Sequence, residues 1–112
     1  MNDSNKSKQR SFLNEYFNNY KYLVEPANSL FNDLIYFAEL LKKMHAKGNK
    51  AIIVGNGGSA AISSHFSVDL TKNASVRCIN FNEADLITCF ANDYGYEYWV
   101  AKALEAYADK GD

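Results

Sequence analysis

The chain has 112 residues, of which 47% are hydrophobic and 22% charged, and its formal net charge is -1, as is typical of one small globular domain. Its lysines are scattered, its apolar runs fall far short of the about 20 residues of a membrane span, and its polar N-terminus has no signal-peptide core. The composition therefore argues against nucleic-acid-binding, membrane-spanning and secreted proteins, and it predicts a cytoplasmic protein with no nucleic-acid or membrane partner.

The first part of the chain predicts a disordered segment followed by two helices. Residues 1–10 are polar and are expected to be disordered. Apolar residues recur at helical spacing from Ser11, Pro26 interrupts the pattern, and a second helix with a buried apolar face is expected to end near Met44. Two apolar helices exceed what one small sheet needs, so residues 11–48 are predicted to form an oligomerisation segment, unless the first helix simply completes the core.

The stretch from Ala51 to Leu70 carries the strongest functional signal. Its first four residues, 51–54, are predicted to form a buried parallel β-strand. Three glycines follow within residues 55–58, and Ser59 is expected as the N-cap of the next helix. Bare amides at a helix N-terminus favour phosphate, although a tight turn without a ligand would have the same pattern. The spacing matches neither the dinucleotide fingerprint nor the P-loop.

His65 and Asp69 stand four residues apart in the predicted helix. At this spacing they project from one face, as two ligands of one metal or a proton-transfer pair would. A catalytic zinc ion is usually held by three protein ligands, and no other cluster in the sequence supplies the third ligand. The alternatives are a histidine satisfied locally and an ordinary solvated pair of Asp69 with Lys72.

The remaining sequence predicts a second strand and two further helices. The strand is expected over residues 76–79, with Asn80 and Asn82 marking the turn after it. The helices are expected over residues 84–91 and 96–108, where Asp93 between them would serve as a cap of the last helix. The pattern is that of a small α/β protein.

Two cysteines, Cys78 and Cys89, are far from any C-x-x-C spacing. Both have apolar neighbours in the sequence. We therefore predict two buried, reduced thiols that act as small hydrophobic side chains.

A family resemblance rests on two runs in this order, GNGGSAAISSHFSVDL and FANDYGYEYWVAKALEAYADKGD. They resemble the phosphosugar-binding SIS domain and, within it, the phosphoheptose isomerase family. The resemblance implies a three-layer α/β/α Rossmann-like, flavodoxin-like fold with a parallel sheet, of which residues 49–112 would be the N-terminal part, and a homotetramer. It also implies that seven residues contact a sugar phosphate, namely Asn56, Gly57, Gly58, Ser59, Asp69, Asn92 and Asp93.

The resemblance further implies the activity and its catalytic groups. The family converts sedoheptulose 7-phosphate to D-glycero-D-manno-heptose 7-phosphate for surface-polysaccharide synthesis. His65 would be a zinc ligand, and Asp69 stands where the family has a glutamate that binds the metal and moves the substrate proton. Aspartate is shorter by one methylene, which withdraws the carboxylate by about 1.5 Å, and a misplacement of that order can lower a rate roughly a hundredfold.

Two further expectations concern the alternative function and the extent of the chain. Because Asp69 replaces the family's glutamate, the alternative function is a non-catalytic SIS module that binds a phosphosugar or associates with a replication initiator. Two predicted strands are few for a parallel sheet, and the resemblance implies a third strand, a second phosphate loop and two more metal ligands beyond Asp112. We therefore expect a fragment or truncated gene product that is inactive by itself, or a second chain that supplies the rest.

Overall fold

The computed structural model describes residues 3–112, which form two compact units divided after Tyr36. In chain order the elements are α1 (Asp3–Val24), α2 (Asn28–Ala46), β1 (Ala51–Ile53), α3 (Gly58–Lys72), β2 (Cys78–Asn80), α4 (Ala84–Tyr94), a 3-10 helix (Tyr96–Tyr98) and α5 (Trp99–Tyr107). None of the helices in the described part of the chain combines the length and apolar character that crossing a membrane requires.

The N-terminal helix is longer than the sequence pattern predicts. Residues 3–10 continue α1 and are not disordered, whereas Met1 and Asn2 lie outside the described residues. The segment contains no proline or glycine, so each added residue extends an existing helix without a new nucleation step. The predicted interruption at Pro26 is confirmed, because α1 ends before it and α2 begins after it.

The apolar faces of α1 and α2 are exposed in this chain. The face of α2 that the sequence predicts as buried is not covered within this chain, because no residue of that helix is buried. Ile35 of α2 is 60% exposed, and Phe17 of α1 is 56% exposed. The helical periodicity was sufficient to identify an apolar stripe, but the described residues do not bury that stripe.

The second unit is built on a parallel pair of short strands. The register pairs Ala51 with Cys78, Ile52 with Ile79 and Ile53 with Asn80. The strand β1 is half-buried rather than fully buried, because the described sheet has only two strands. The predicted fold class therefore appears here as a helix-rich α/β unit with a small parallel sheet.

A cluster of buried apolar residues lies on one face of this sheet. It is formed by Phe81, Trp99 and Ala103, which are at most 4% exposed. Trp99 and Ala103 of α5 are buried, whereas Leu104 and Tyr107 are exposed, since α5 turns only one side toward the sheet. The helix α4 also runs beyond its predicted end at Ala91 and stops only at Gly95, whose φ of +98° favours glycine.

The two cysteines differ in their surroundings. Cys78 is half-buried, and this burial raises the pKa of its thiol. Cys89 is exposed, so the prediction of a second buried thiol is wrong. Apolar neighbours in sequence did not report its position, since adjacent residues of a helix point in different directions.

A group of charged residues ties the start of β1 to the residues after α5. The ammonium of Lys50 lies 2.7 Å from Asp109 Oδ2 and 2.6 Å from Asp112 Oδ2. The Asp109 backbone N–H, at 2.8 Å, and the Lys50 ammonium hold the pKa of Asp112 well below its usual range. The hydrogen bond to Asp109, followed by that to Asp112, raises the pKa of Lys50.

Candidate functional site

The turn between β1 and α3, residues 55–58, is called the glycine turn here. A side chain added at Gly57 or Gly58 would meet no atom within 4 Å, so these positions border open space. In the described residues the backbone amides of Asn56, Gly57 and Gly58 donate to no oxygen of the chain. Three free donors therefore stand at the N-terminus of α3, where the helix dipole favours an anion.

The helix begins two residues earlier than the sequence indicates. Its N-cap is Gly57, with φ of +55°, and Ser59 is already inside α3, so the predicted capping role of Ser59 is wrong. The backbone N–H of Ser59 donates to Asn56 O at 3.0 Å, closing the first turn. Because a residue with positive φ is accommodated best as glycine, the helix start falls at the glycine pair.

Gly55 has a different role from the other glycines of the turn. A Cβ atom there would lie 2.5 Å from the backbone carbon and oxygen of Ser59. Its N–H and C=O are both taken by Asn82, at 3.2 Å and 2.6 Å. Gly55 is therefore required for close packing against α3, and its amide is unavailable to a ligand.

Asn80 and Asn82 support the glycine turn, a role that sequence analysis missed. Asn80 Nδ2 donates to Ile53 O at 2.8 Å and to Asn82 Oδ1 at 3.0 Å. The sequence predicts both residues in a turn, whereas Asn80 is the last residue of β2 and Asn82 is hydrogen-bonded to Gly55. The signal in the sequence was that both residues follow the predicted second strand, residues 76–79. The carboxyl ends of parallel strands lie at the same edge of a sheet, so these residues lie near the end of β1.

Asn92 and Asp93 lie in the last turn of α4 and are exposed. Asn92 Nδ2 donates to Asp93 Oδ1 at 3.0 Å, and the Cys89 thiol lies 3.8 Å from Asp93 Oδ2. Asp93 is inside a helix, so its alternative role as a cap of the next helix is wrong. Its carboxylate has no hydrogen bond to the glycine turn in the described residues, and contact with a substrate remains a prediction.

Tyr96, which sequence analysis did not single out, connects the second motif to the glycine turn. Its phenolic O–H donates to Asn56 Oδ1 at 3.0 Å. No local pattern reveals this contact, because it joins residues 40 positions apart. It brings the start of the 3-10 helix to the predicted phosphate site.

His65 and Asp69 meet on one face of α3, as their spacing predicts. His65 Nε2 lies 3.6 Å from Asp69 Oδ2, and the side chains are 81% and 45% exposed. Asn73, rather than Lys72, holds the other carboxylate oxygen, by donating to Oδ1 at 3.0 Å. The pair lines a shallow apolar depression with Ala61, Ile62 and Phe66.

The glycine turn and this pair occupy separate stretches of the same helix. A rise of 1.5 Å per residue places His65 about 9 Å and Asp69 about 15 Å along α3 from Ser59. One ligand can contact both places only if one of its ends suits the backbone amides of the glycine turn and its other end suits the His65–Asp69 pair. The structure thus brings together the residues of the glycine turn and, separately, His65 and Asp69. It does not place the glycine turn in direct contact with the His65–Asp69 pair.

The donor set of the pair suits a zinc ion only in part. An imidazole nitrogen and a carboxylate oxygen, exposed on one helix face, are two suitable ligands. Within the described residues, however, no group of three histidine, cysteine, aspartate or glutamate side chains could hold a metal. A catalytic site would need a further ligand from elsewhere.

No protein-family model matches the chain. The phosphoheptose isomerase of Fusobacterium nucleatum is 39% identical over 80 residues, which are 67% of this chain and 41% of that protein. The probable phosphoheptose isomerase of Thermoplasma acidophilum is 36% identical over 103 residues, 82% of this chain and 56% of that protein. The structure of phosphoheptose isomerase GmhA from Neisseria gonorrhoeae aligns with a TM-score of 0.79 at 24% identity, covering 93% of this chain and 57% of that one.

These matches confirm the predicted resemblance and fold class. The chain spans about half the length of the curated relatives it matches. The solved structure shows that the helices and the small parallel sheet belong to the same α/β fold. The sequence matches and the shared fold together identify the chain as a relative of the phosphoheptose isomerase family.

Proposed function

We propose that the protein binds a sugar phosphate and takes part in the isomerisation of sedoheptulose 7-phosphate to D-glycero-D-manno-heptose 7-phosphate. The observation that carries the proposal is the glycine turn, where three free amides and two open glycines lie at the start of α3. Relatives named phosphoheptose isomerase support this substrate class. They give no support to the non-catalytic alternative.

In this proposal the two ends of the substrate lie at the two stretches of α3. The phosphate is held by the free amides of residues 56–58 and by the hydroxyl of Ser59. The reacting carbons lie at the opposite end of the seven-carbon sugar, which suits the distance along the helix to Asp69. Asn92 and Asp93 are proposed to contact the same substrate, from the end of α4.

Asp69 is proposed as the catalytic base. Its carboxylate would take the proton from C1 of the ketose and return it to C2, while a hydroxyl proton passes from O1 to O2 and the carbonyl moves to C1. Asn73 holds one carboxylate oxygen at 3.0 Å and leaves the other toward His65. Such a hydrogen bond orients the carboxylate, which is a requirement of efficient proton transfer.

Zinc is part of the proposal as the ion that His65 and Asp69 would bind together with ligands from outside the described residues. When bound, it would supply polarisation of the sugar carbonyl. The proposal assigns the proton transfer itself to Asp69. Zinc content can be measured after loading, with His65→Ala as the variant expected to lose the metal.

We also propose a homo-oligomer, a tetramer as in the resembled family, in the cytoplasm of a cell that makes heptose-containing surface polysaccharide. Its support is the exposed apolar surface of α1 and α2, including Phe12 at 65%, Leu23 at 77% and Ile35 at 60% exposure. Apolar area of this extent is typical of an interface. Sedimentation velocity would test it, because a monomer at all concentrations would refute the oligomer.

Binding is tested best at Gly58, the first residue of α3. Gly58→Asp places a negative charge at the helix N-terminus, which favours the helix but repels a phosphate. Gly58→Ala is the matched neutral control, since its Cβ enters open space. Calorimetric titration with sedoheptulose 7-phosphate should show binding to the wild type and Gly58→Ala, and loss in Gly58→Asp.

Unphosphorylated sedoheptulose supplies the second control of this titration. It should bind much more weakly, because the proposed contacts of residues 56–58 are to the phosphate. Equal affinity for both sugars, or unchanged binding in Gly58→Asp, would refute the phosphate site. Turnover is assayed with the longest polypeptide that carries this sequence, and activity that survives Asp69→Ala would refute the base.

A further inference from the structure

Tyr96 reaches the glycine turn from the segment 92–96, which follows the Asn-Asp pair. It comes directly after Gly95, whose φ of +98° redirects the chain at the end of α4. Its hydroxyl donates to Asn56 Oδ1 at 3.0 Å. Over residues 3–112, this is the single hydrogen bond between the glycine turn and the segment 92–96.

The hydrogen bond determines which end of the Asn56 amide remains available. A side-chain amide has an oxygen acceptor and two N–H donors. Because Oδ1 of Asn56 accepts from Tyr96, its Nδ2 donors are left without a partner among the described residues. They lie beside the free backbone amides of the same turn, so the local group offers donors only, as an anion requires.

We propose that Tyr96 is a positioning residue of the sugar-phosphate site, which holds the Asn56 side chain with its amide donors available to the phosphate. The inference rests on the proposed function and deepens it, because it assigns a role to a residue outside the predicted site. Tyr96 acts through Asn56 and does not itself contact the reacting atoms. Without the phenol, the Asn56 amide would rotate freely and would lose part of its preorganisation.

The test compares two tyrosines of the same 3-10 helix. Tyr96→Phe removes only the hydroxyl, and the residue is 55% exposed, so folding should be unaffected. Tyr98→Phe is the matched control, since Tyr98 is also 55% exposed and its hydroxyl makes no hydrogen bond in the described part of the chain. Sedoheptulose 7-phosphate is titrated into each variant at constant salt concentration.

We expect the Kd to rise about fivefold for Tyr96→Phe, the effect of one hydrogen bond, and to stay unchanged for Tyr98→Phe. The same comparison is then made in an Asn56→Ala background. If Tyr96 acts through Asn56, its substitution has no further effect there. A merely structural role would weaken binding equally in both backgrounds.

The outcomes separate this inference from the proposed function. If the wild type binds and Tyr96→Phe binds equally well, the role of Tyr96 is refuted while the phosphate site stands. An equal loss in the Asn56→Ala background also refutes it. If the wild type shows no phosphate-dependent binding, the proposed function fails, and the role of Tyr96 fails with it.

Discussion

Gly55→Ala should destabilise the protein, although it adds only one methyl group. The new Cβ would lie 2.5 Å from the backbone carbon and oxygen of Ser59 and 2.7 Å from Ser63 Oγ. These contacts are about 1 Å closer than the usual 3.5–4.0 Å between non-bonded atoms. Two of the three atoms belong to the backbone of α3, so relief requires a shift of the helix rather than a side-chain rotation.

The cost of such overpacking is typically 1–3 kcal/mol. For a domain of this size the change corresponds to a fall in Tm of roughly 4 °C per kcal/mol, or about 4–12 °C. Gly58→Ala gives the opposite sign, because its Cβ enters open space at a helical position. Alanine there should stabilise the protein by about 0.5–1 kcal/mol.

The two variants are compared by thermal unfolding followed by circular dichroism, at one pH and one protein concentration. Expected is a lower Tm for Gly55→Ala than for the wild type, and an equal or higher Tm for Gly58→Ala. Similar Tm values for both variants would refute the inference that Gly55 is required by packing. Gly55→Ala should also weaken sugar-phosphate binding, since the glycine turn would move with α3.

Three further predictions concern acid stability, the base and the thiols. The folded state lowers the pKa of Asp112, so the stabilising contribution of Asp112 is present above the ordinary carboxyl pKa of about 3.9 and is lost as the pH falls through the lowered pKa. The pKa of Lys50 is raised, so the contribution of Lys50 is lost only at high pH. Urea midpoints should therefore fall in acid, and less in Asp112→Asn; identical profiles would contradict this. If Asp69 is the proposed base, Asp69→Glu introduces the longer carboxylate that the family resemblance implies at this position. It should raise the proposed isomerisation rate by up to about a hundredfold in the longest polypeptide that carries this sequence, whereas an unchanged rate would show that the length is immaterial. Exposed Cys89 should react with iodoacetamide faster than Cys78, whose thiol pKa is raised by burial, and equal rates in the two single serine variants would disprove the difference.

The sequence was most informative where a residue restricts the backbone. Pro26 cannot donate a helical hydrogen bond, and it separates α1 from α2 as expected. The glycines after β1 marked the change from strand to helix, and the spacing of His65 and Asp69 was sufficient to place them on one face. These features depend on local geometry, which a short stretch of sequence specifies.

Other features depend on which surfaces meet, and the sequence could not specify them. The apolar stripe of α2 was identified correctly, but its burial requires a covering surface that the described residues do not supply. Cys89 falls on the outer side of α4 despite its apolar neighbours. The roles of Asn82 and Tyr96 depend on hydrogen bonds across 27 and 40 residues, so no local pattern contained them.

The two hydrogen bonds between Asn82 and Gly55 have a consequence for the rate of ligand association. One amide side chain replaces both hydrogen-bonding partners that a neighbouring strand would give the backbone N–H and C=O of Gly55, at 3.2 Å and 2.6 Å. Loops with such anchors are already ordered when a ligand arrives, so association loses little conformational entropy. If the proposed sugar phosphate binds at this turn, its association should therefore be limited by diffusion and charge rather than by a slow rearrangement of the loop.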